Sequence, residues 1–171
     1  MNEELKKSLM NEILNLKNKL ELFNSLDRPQ LRMVGRVYDN RAFFTQQMSP
    51  LQATIEFFKF RFSQPRQMGT TTLIKELVGM LGDTTIITLN QRIGKEFYNE
   101  KEYINDVNVV SQERFSTPAF RFHRKSPQRL HTIIISDEID SMSMEYKQLM
   151  DNIFSYIQAK GFPILLLDFS R

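Results

Sequence analysis

The chain has no cysteine and no tryptophan, and only two of its 171 residues are histidine. The lack of cysteine excludes disulfide bonds and thiolate metal sites, and it permits the reducing cytoplasm in which we expect the protein. With only His123 and His131, a histidine-rich metal site is disfavoured. No apolar run is long enough to span a bilayer, and the N-terminus has no signal-peptide pattern, so we expect no membrane partner.

What is present is typical of a folded globular domain. Hydrophobic residues make up 41% of the chain and charged residues 25%, and a chain of this length forms one domain with a sizeable core. The net charge of +3 does not by itself indicate nucleic acid. Its distribution matters more, because the segment RFHRKSPQR (121–129) holds most of the local excess.

The N-terminal segment 3–26 is predicted to be an amphipathic helix. One apolar stripe recurs at spacings of four and three, through Leu9, Ile13, Leu16, Leu20 and Phe23. Pro29 ends it, because the residue before proline is biased away from helix. The stripe either packs on its own domain or forms a short coiled coil or partner-docking surface. We therefore divide the chain into an N-terminal helix (1–28) and a core (29–171).

The core alternates between apolar strands and helices. Strands are predicted at 58–63, 84–90, 107–111, 132–138 and 163–169, and helices at 70–81, 91–99 and 143–161. Ser49 and Pro50 are typical of a further helix start. This alternation predicts an α/β fold in three layers, with a mostly parallel sheet between helices on both faces.

The stretch SQPRQMGTTTLIKEL (63–77) has the shape of a phosphate-binding loop that runs into a helix. Backbone N–H groups at such a turn, together with the helix dipole, form an anion site. In the pattern Gly-x-x-x-x-Gly-Lys-[Ser/Thr], Gly69 is the second glycine and Thr71 the magnesium-binding hydroxyl, while Gln64 replaces the first glycine and Thr70 the lysine. The predicted nucleotide-binding residues are Gln64, Pro65, Arg66, Gln67, Met68, Gly69, Thr70, Thr71 and Thr72. Taken alone, the turn could also be a structural helix cap.

A second motif supports the nucleotide interpretation. The strand IIISDE (133–138) ends in two adjacent carboxylates. At the carboxyl edge of a parallel sheet, Asp137 would hold Mg²⁺ and Glu138 would orient a water. The pair could instead be a charge cluster at a helix N-terminus. The two motifs in this order predict a site for ATP and Mg²⁺, with Thr71 and Asp137 as metal ligands.

These motifs resemble the P-loop ATPases of the RecA-like class with a catalytic glutamate, most of all the ATPase domain of phage large terminases, the DNA-packaging motors. Arg66, Gln67, Gly69, Thr71 and Thr72 fit the terminase loop Ser-Arg-Gln-x-Gly-Lys-Thr-Thr. TTIITLNQRIGKEF is similar to the second strand and helix of such ATPases, and ILLLDFSR to the strand that couples hydrolysis to movement. The resemblance covers about residues 50–171. It implies the P-loop fold, ATP hydrolysis, Glu138 and Arg66 as catalytic residues (Arg66 as an arginine finger), and double-stranded DNA as partner.

Thr70 leaves the activity open. It supplies no charge where the family has lysine, and such a loss commonly costs about a hundredfold or more in rate. The chain is an engineered inactive variant, a natural pseudo-ATPase, or an active enzyme that uses another cation such as Arg66. No nuclease domain follows the last strand before Arg171, so we expect a truncated ATPase core or a small stand-alone relative rather than a complete terminase.

The basic segment 113–131 is a candidate nucleic-acid surface. Its cations Arg121, Arg124, Lys125 and Arg129 can neutralise phosphates, and its interleaved phenylalanines can stack on unpaired bases. The alternative is a solvated loop whose phenylalanines pack on the core. Three functions follow: a DNA-translocating or DNA-packaging ATPase; a non-catalytic nucleotide-binding scaffold; or a nucleic-acid-binding module that retains the fold. Through its N-terminal helix the protein would form a homo-oligomer or hold a partner protein.

Overall fold

A five-stranded sheet, parallel throughout, organises the part of the chain that the computed structural model describes, residues 3–24, 48–62, 69–81, 84–99, 107–115 and 132–171. The strands are β1 (Lys59–Arg61), β2 (Thr84–Thr88), β3 (Val107–Ser111), β4 (Thr132–Ile135) and β5 (Leu165–Asp168). Their order across the sheet is β1-β5-β4-β2-β3, so β1 and β3 are the edges.

The three central strands are buried on both faces, and β2 and β4 consist of β-branched residues, while β5 is three leucines followed by Asp168. Every residue of β2, β4 and β5 is buried, which is the pattern of strands covered by helices on both sides. β4 is shorter than the predicted strand 132–138. It ends at Ile135 because the chain turns there, and the Ile139 N–H reaches the Ser136 carbonyl at 3.3 Å.

Six α-helices are described: α1 (Glu3–Asn24), α2 (Pro50–Ala53), α3 (Thr70–Leu81), α4 (Gln91–Phe97), α5 (Gln112–Phe115) and α6 (Met144–Lys160). A π-helical turn, Thr54–Phe58, continues α2. Ser49, Asn90 and Ser143 cap α2, α4 and α6 by accepting backbone N–H groups through their side chains. Gly161 ends α6 at φ 72°, a left-handed cap that favours glycine.

The helices cover the two faces of the sheet with separate clusters of buried side chains. One face, the α3 face, buries α1 and α3 against residues such as Ile134 and Leu167. The other, the α6 face, buries α5 and α6 against residues such as Ile133 and Leu166. The predicted α/β class, with a parallel sheet flanked by helices, is confirmed. The apolar stripe of α1, as far as its side chains are described, lies in the α3-face cluster through Leu9, Ile13 and Leu16.

None of the described helices combines the length and the apolar character needed to cross a membrane.

Candidate functional site

At the carboxyl edge of the sheet, the strand before the candidate loop (β1) and the strand before the two acids (β4) end on the same side. A backbone ladder runs across it: the Phe62 N–H donates to the Asp168 carbonyl (2.8 Å), the Phe169 N–H to the Ile135 carbonyl (2.9 Å) and the Ser136 N–H to Ile87 (2.9 Å). Phe62 and Phe169 also stack, with ring centroids 4.5 Å apart. The residue before the candidate loop is therefore tied, through β5, to Ile135 at the end of β4, two residues before the acids.

Helix α3 begins at Thr70, directly after Gly69, where the candidate loop ends. Gly69 has φ 73°, in the left-handed region, and its carbonyl accepts the Leu73 N–H at 3.0 Å, the first bond of the helix. Thr70 is buried, with 6% of its surface exposed. Thr71 is half-buried and Thr72 exposed. Because the first N–H groups of a helix have no intrahelical partner, this end of α3 is suited to an anion.

Asp137 and Glu138 lie in the turn that follows β4. Both residues are half-buried. The Asp137 Oδ1 and the Glu138 Oε2 are buried atoms without a hydrogen-bond partner in the described part of the chain, and so is the neighbouring Ser136 Oγ. A buried polar atom without a partner costs about 1–3 kcal/mol. Two such atoms on adjacent acids indicate a site where a bound ligand would supply the missing partners.

The donor set fits magnesium held together with a nucleotide. Among the described residues there is no cluster of three or more acidic, histidine or cysteine side chains for a metal held by protein alone. Mg²⁺ does not need one, because it usually binds one or two carboxylates, several waters and the phosphates of its substrate. The Asp137 carboxylate and the Thr71 hydroxyl are ligands of the kind such a site uses.

A buried network that the sequence analysis missed lies between the two motifs. Asp168, the last residue of β5, is fully buried. Its Oδ2 accepts the Tyr146 hydroxyl at 2.6 Å, and its Oδ1 accepts both the backbone N–H (3.0 Å) and the hydroxyl (2.6 Å) of Ser170. Burial, and then the hydrogen bond to Asp168, raise the pKa of Tyr146 to about 12. The signal in the sequence was an acid closing the apolar run ILLL, which a buried strand rarely carries unpaired.

A separate hydrogen bond starts from the first strand, beside this network. Arg61, in register with Asp168, donates from Nη2 to the Ser141 Oγ at 2.6 Å. The Ser141 N–H in turn donates to the Arg171 carbonyl (2.7 Å). Arg61 of β1 is thus hydrogen-bonded to the segment after the acids, and that segment is bonded to the backbone that follows β5.

Several predicted site residues lie outside the described residues. They are Gln64, Pro65, Arg66, Gln67 and Met68 of the loop, and Arg121, Arg124, Lys125 and Arg129 of the basic segment. Their predicted roles stay predictions.

Comparisons of the chain with protein-family models, with curated proteins and with solved structures found no match. The resemblance to terminase-type ATPases therefore rests on the short motifs alone.

Proposed function

We propose that the protein binds a nucleoside triphosphate with Mg²⁺ at the carboxyl edge of its sheet and that its form with lysine at position 70 hydrolyses it. The observation that carries the proposal is the pair of buried, unpartnered atoms, Asp137 Oδ1 and Glu138 Oε2, at the sheet edge where β1, the strand before the candidate loop, also ends. Neither motif alone supports a nucleotide site, because a glycine turn can be a structural helix cap and a pair of acids can be a charge cluster at a helix N-terminus.

The spacing of the strands supports one shared ligand. Only β5 separates β1 from β4, and neighbouring strands lie about 4.8 Å apart, so the two strand ends are about 10 Å apart. A polyphosphate bound by the segment that follows β1 would bridge a gap of this size to a carboxylate of the turn after β4.

Each residue then has a distinct task. The backbone N–H groups at the start of α3 bind phosphate oxygens, while Thr71 and Asp137 hold the metal. Mg²⁺, when bound, would neutralise charge on the terminal phosphates. Glu138 accepts a proton from the attacking water and orients it. Arg66 is proposed as the cation that stabilises charge on the transferred group.

Thr70 favours a second function, a nucleotide-binding scaffold with little turnover. It is a buried, uncharged side chain where the pattern requires a cation. Binding through backbone groups and magnesium survives this change better than catalysis does, because the lysine acts where charge develops in the transition state. The role of a DNA motor is the further proposal that the terminase resemblance adds.

The decisive experiment compares Thr70→Lys with the chain as it stands. We expect turnover of MgATP to rise by about a hundredfold or more with lysine, because a preorganised cation is worth a few kcal/mol in the transition state. Steady-state phosphate release measures the rate, and calorimetric titration with a non-hydrolysable ATP analogue measures binding. Stimulation of the restored turnover by double-stranded DNA would support the motor.

The matched control adds Glu138→Gln to the Thr70→Lys chain, which should remove turnover but keep binding. Binding without turnover in either chain would favour the scaffold instead. If neither chain binds the analogue with magnesium, the nucleotide site itself is wrong.

A further inference from the structure

A second concavity lies along β3, at the other edge of the sheet from β1. It has a volume of about 650 Å³ and is enclosed by parts of β2, α4, β3 and α5. This volume is within the range of about 300–1,000 Å³ typical of small-molecule sites. No residue of this cavity has a role in the nucleotide site proposed above.

The lining of this cavity is cationic and rich in hydrogen-bonding groups. Lys95 of α4 and Arg114 of α5 contribute positive charge, and none of the described residues that line it is acidic. The amides of Gln91, Asn99 and Asn108 add donors and acceptors. An anion with a polar body matches this set. A guanidinium favours phosphate in particular, because its planar donors can bind two oxygens at once.

The helix that carries Lys95 packs closely against the sheet. Helix α4 lies so near the sheet that a Cβ on Gly94 would meet the Val109 Cγ1 at 2.7 Å. The Asn90 side chain caps α4 by accepting the Ile93 N–H at 3.0 Å, and the Thr88 hydroxyl donates to the Asn90 carbonyl at 3.1 Å. Lys95 therefore projects from a helix held at both its start and its middle.

We infer that this cavity is a binding site for a phosphate ester with a polar, hydrogen-bonding body, recognised by Lys95 and Arg114. The phosphate could come from a free sugar phosphate or nucleotide, or from a nucleic-acid strand. Both sources present the same group to the same two cations, so the experiment includes a probe for each.

The test is an amide NMR titration of the full chain with ribose 5-phosphate, with ribose and with a short oligothymidylate. We expect the phosphate-bearing probes to shift the signals of Gly94, Asn108 and Ser111 saturably, and ribose not to do so. Shifts at Gly69 and Thr71 report the other site separately. Failure of the ATP assays and failure of this titration are therefore distinguishable.

The variants Lys95→Gln and Arg114→Gln should each weaken binding by about tenfold or more, because each removes a charge-assisted hydrogen bond. Lys147→Gln is the matched control, since Lys147 is an exposed lysine of α6 outside the cavity lining, and it should leave binding unchanged. If only the oligothymidylate saturates the site, and both cavity variants weaken its binding by this factor, the phosphate is that of a nucleic-acid strand. The inference is overturned if ribose binds as well as its phosphate, if binding persists in both variants, or if no probe saturates the site.

Discussion

At the scale of single residues, the carboxyl edge of the sheet has two kinds of acid with buried carboxylate oxygens. Asp168 is fully paired, with three hydrogen bonds from Tyr146 and Ser170, so it stabilises the fold. Asp137 and Glu138 each hold a buried oxygen without a partner in the described part of the chain, which costs stability unless a ligand supplies the missing bond. This contrast, rather than acidity alone, separates structural from candidate functional carboxylates here.

Replacing Tyr146 by phenylalanine should destabilise the protein by about 1–3 kcal/mol at neutral pH, because it leaves the Asp168 Oδ2 buried without that donor. The pKa of Tyr146 is raised from 10.0 to about 12 in the folded protein. Its contribution is therefore fully present below pH 10 and is lost as the pH rises through about 12. Urea unfolding from neutral pH to about pH 11.5 should show the stability advantage of the unmodified chain over Tyr146→Phe shrinking. An advantage that stays constant over this range would contradict the proposed bond.

At the scale of elements, the approach of α4 to the sheet depends on one position. Gly94 faces Val109 and Thr88, and a Cβ there would lie 2.7 Å from the Val109 Cγ1 and 3.0 Å from the Thr88 Oγ1. Both neighbours are β-branched side chains on buried or half-buried strands, which have little freedom to give way. The glycine is required here by close packing and not by a left-handed backbone.

Gly94→Ala is therefore expected to destabilise the protein by about 1–3 kcal/mol, since overpacking outweighs the gain in helix propensity. Gly79→Ala in α3 is the matched control, because a Cβ at Gly79 meets nothing within 4 Å. It should stabilise by up to about 1 kcal/mol. Chemical denaturation of both variants measures the difference. If the two substitutions change stability equally, α4 does not pack as closely as described.

The sequence predicts these elements well where local chemistry decides them. β-Branched apolar runs gave the strands near 84–88 and 107–111, and Gly161 gave the end of α6, because both signals are local. Asp137 and Glu138 could be located at a strand end for the same reason. The bond between Tyr146 and Asp168 could not be predicted, because it joins residues 22 positions apart through the packing of α6 on β5. The cavity beside β3 likewise arises only once the strand order is known.

At the scale of the whole molecule, the question is whether the N-terminal helix belongs to the same domain as the sheet. The sequence left two alternatives for its apolar stripe, packing on the same domain or docking a partner. In the structure Leu9, Ile13 and Leu16 are 3–4% exposed and share a cluster with α3 and the central strands. This favours the first alternative, in which α1 completes the α3 face and unfolds together with the sheet.

Ile13→Ala should therefore lower the free energy of unfolding of the whole chain by about 2–5 kcal/mol, the usual cost of truncating a buried isoleucine. Leu14, the next residue, is 50% exposed, so Leu14→Ala should change stability by no more than about 0.5 kcal/mol. The two variants remove similar apolar side chains from the same turn of one helix, so their difference isolates burial from helix propensity. Urea unfolding followed by fluorescence of the core tyrosines would measure both. A small effect of Ile13→Ala would contradict the packing of the stripe on its own domain. A stability that rises with protein concentration would instead mean that the stripe is covered by another chain, because only a docked partner makes stability depend on concentration.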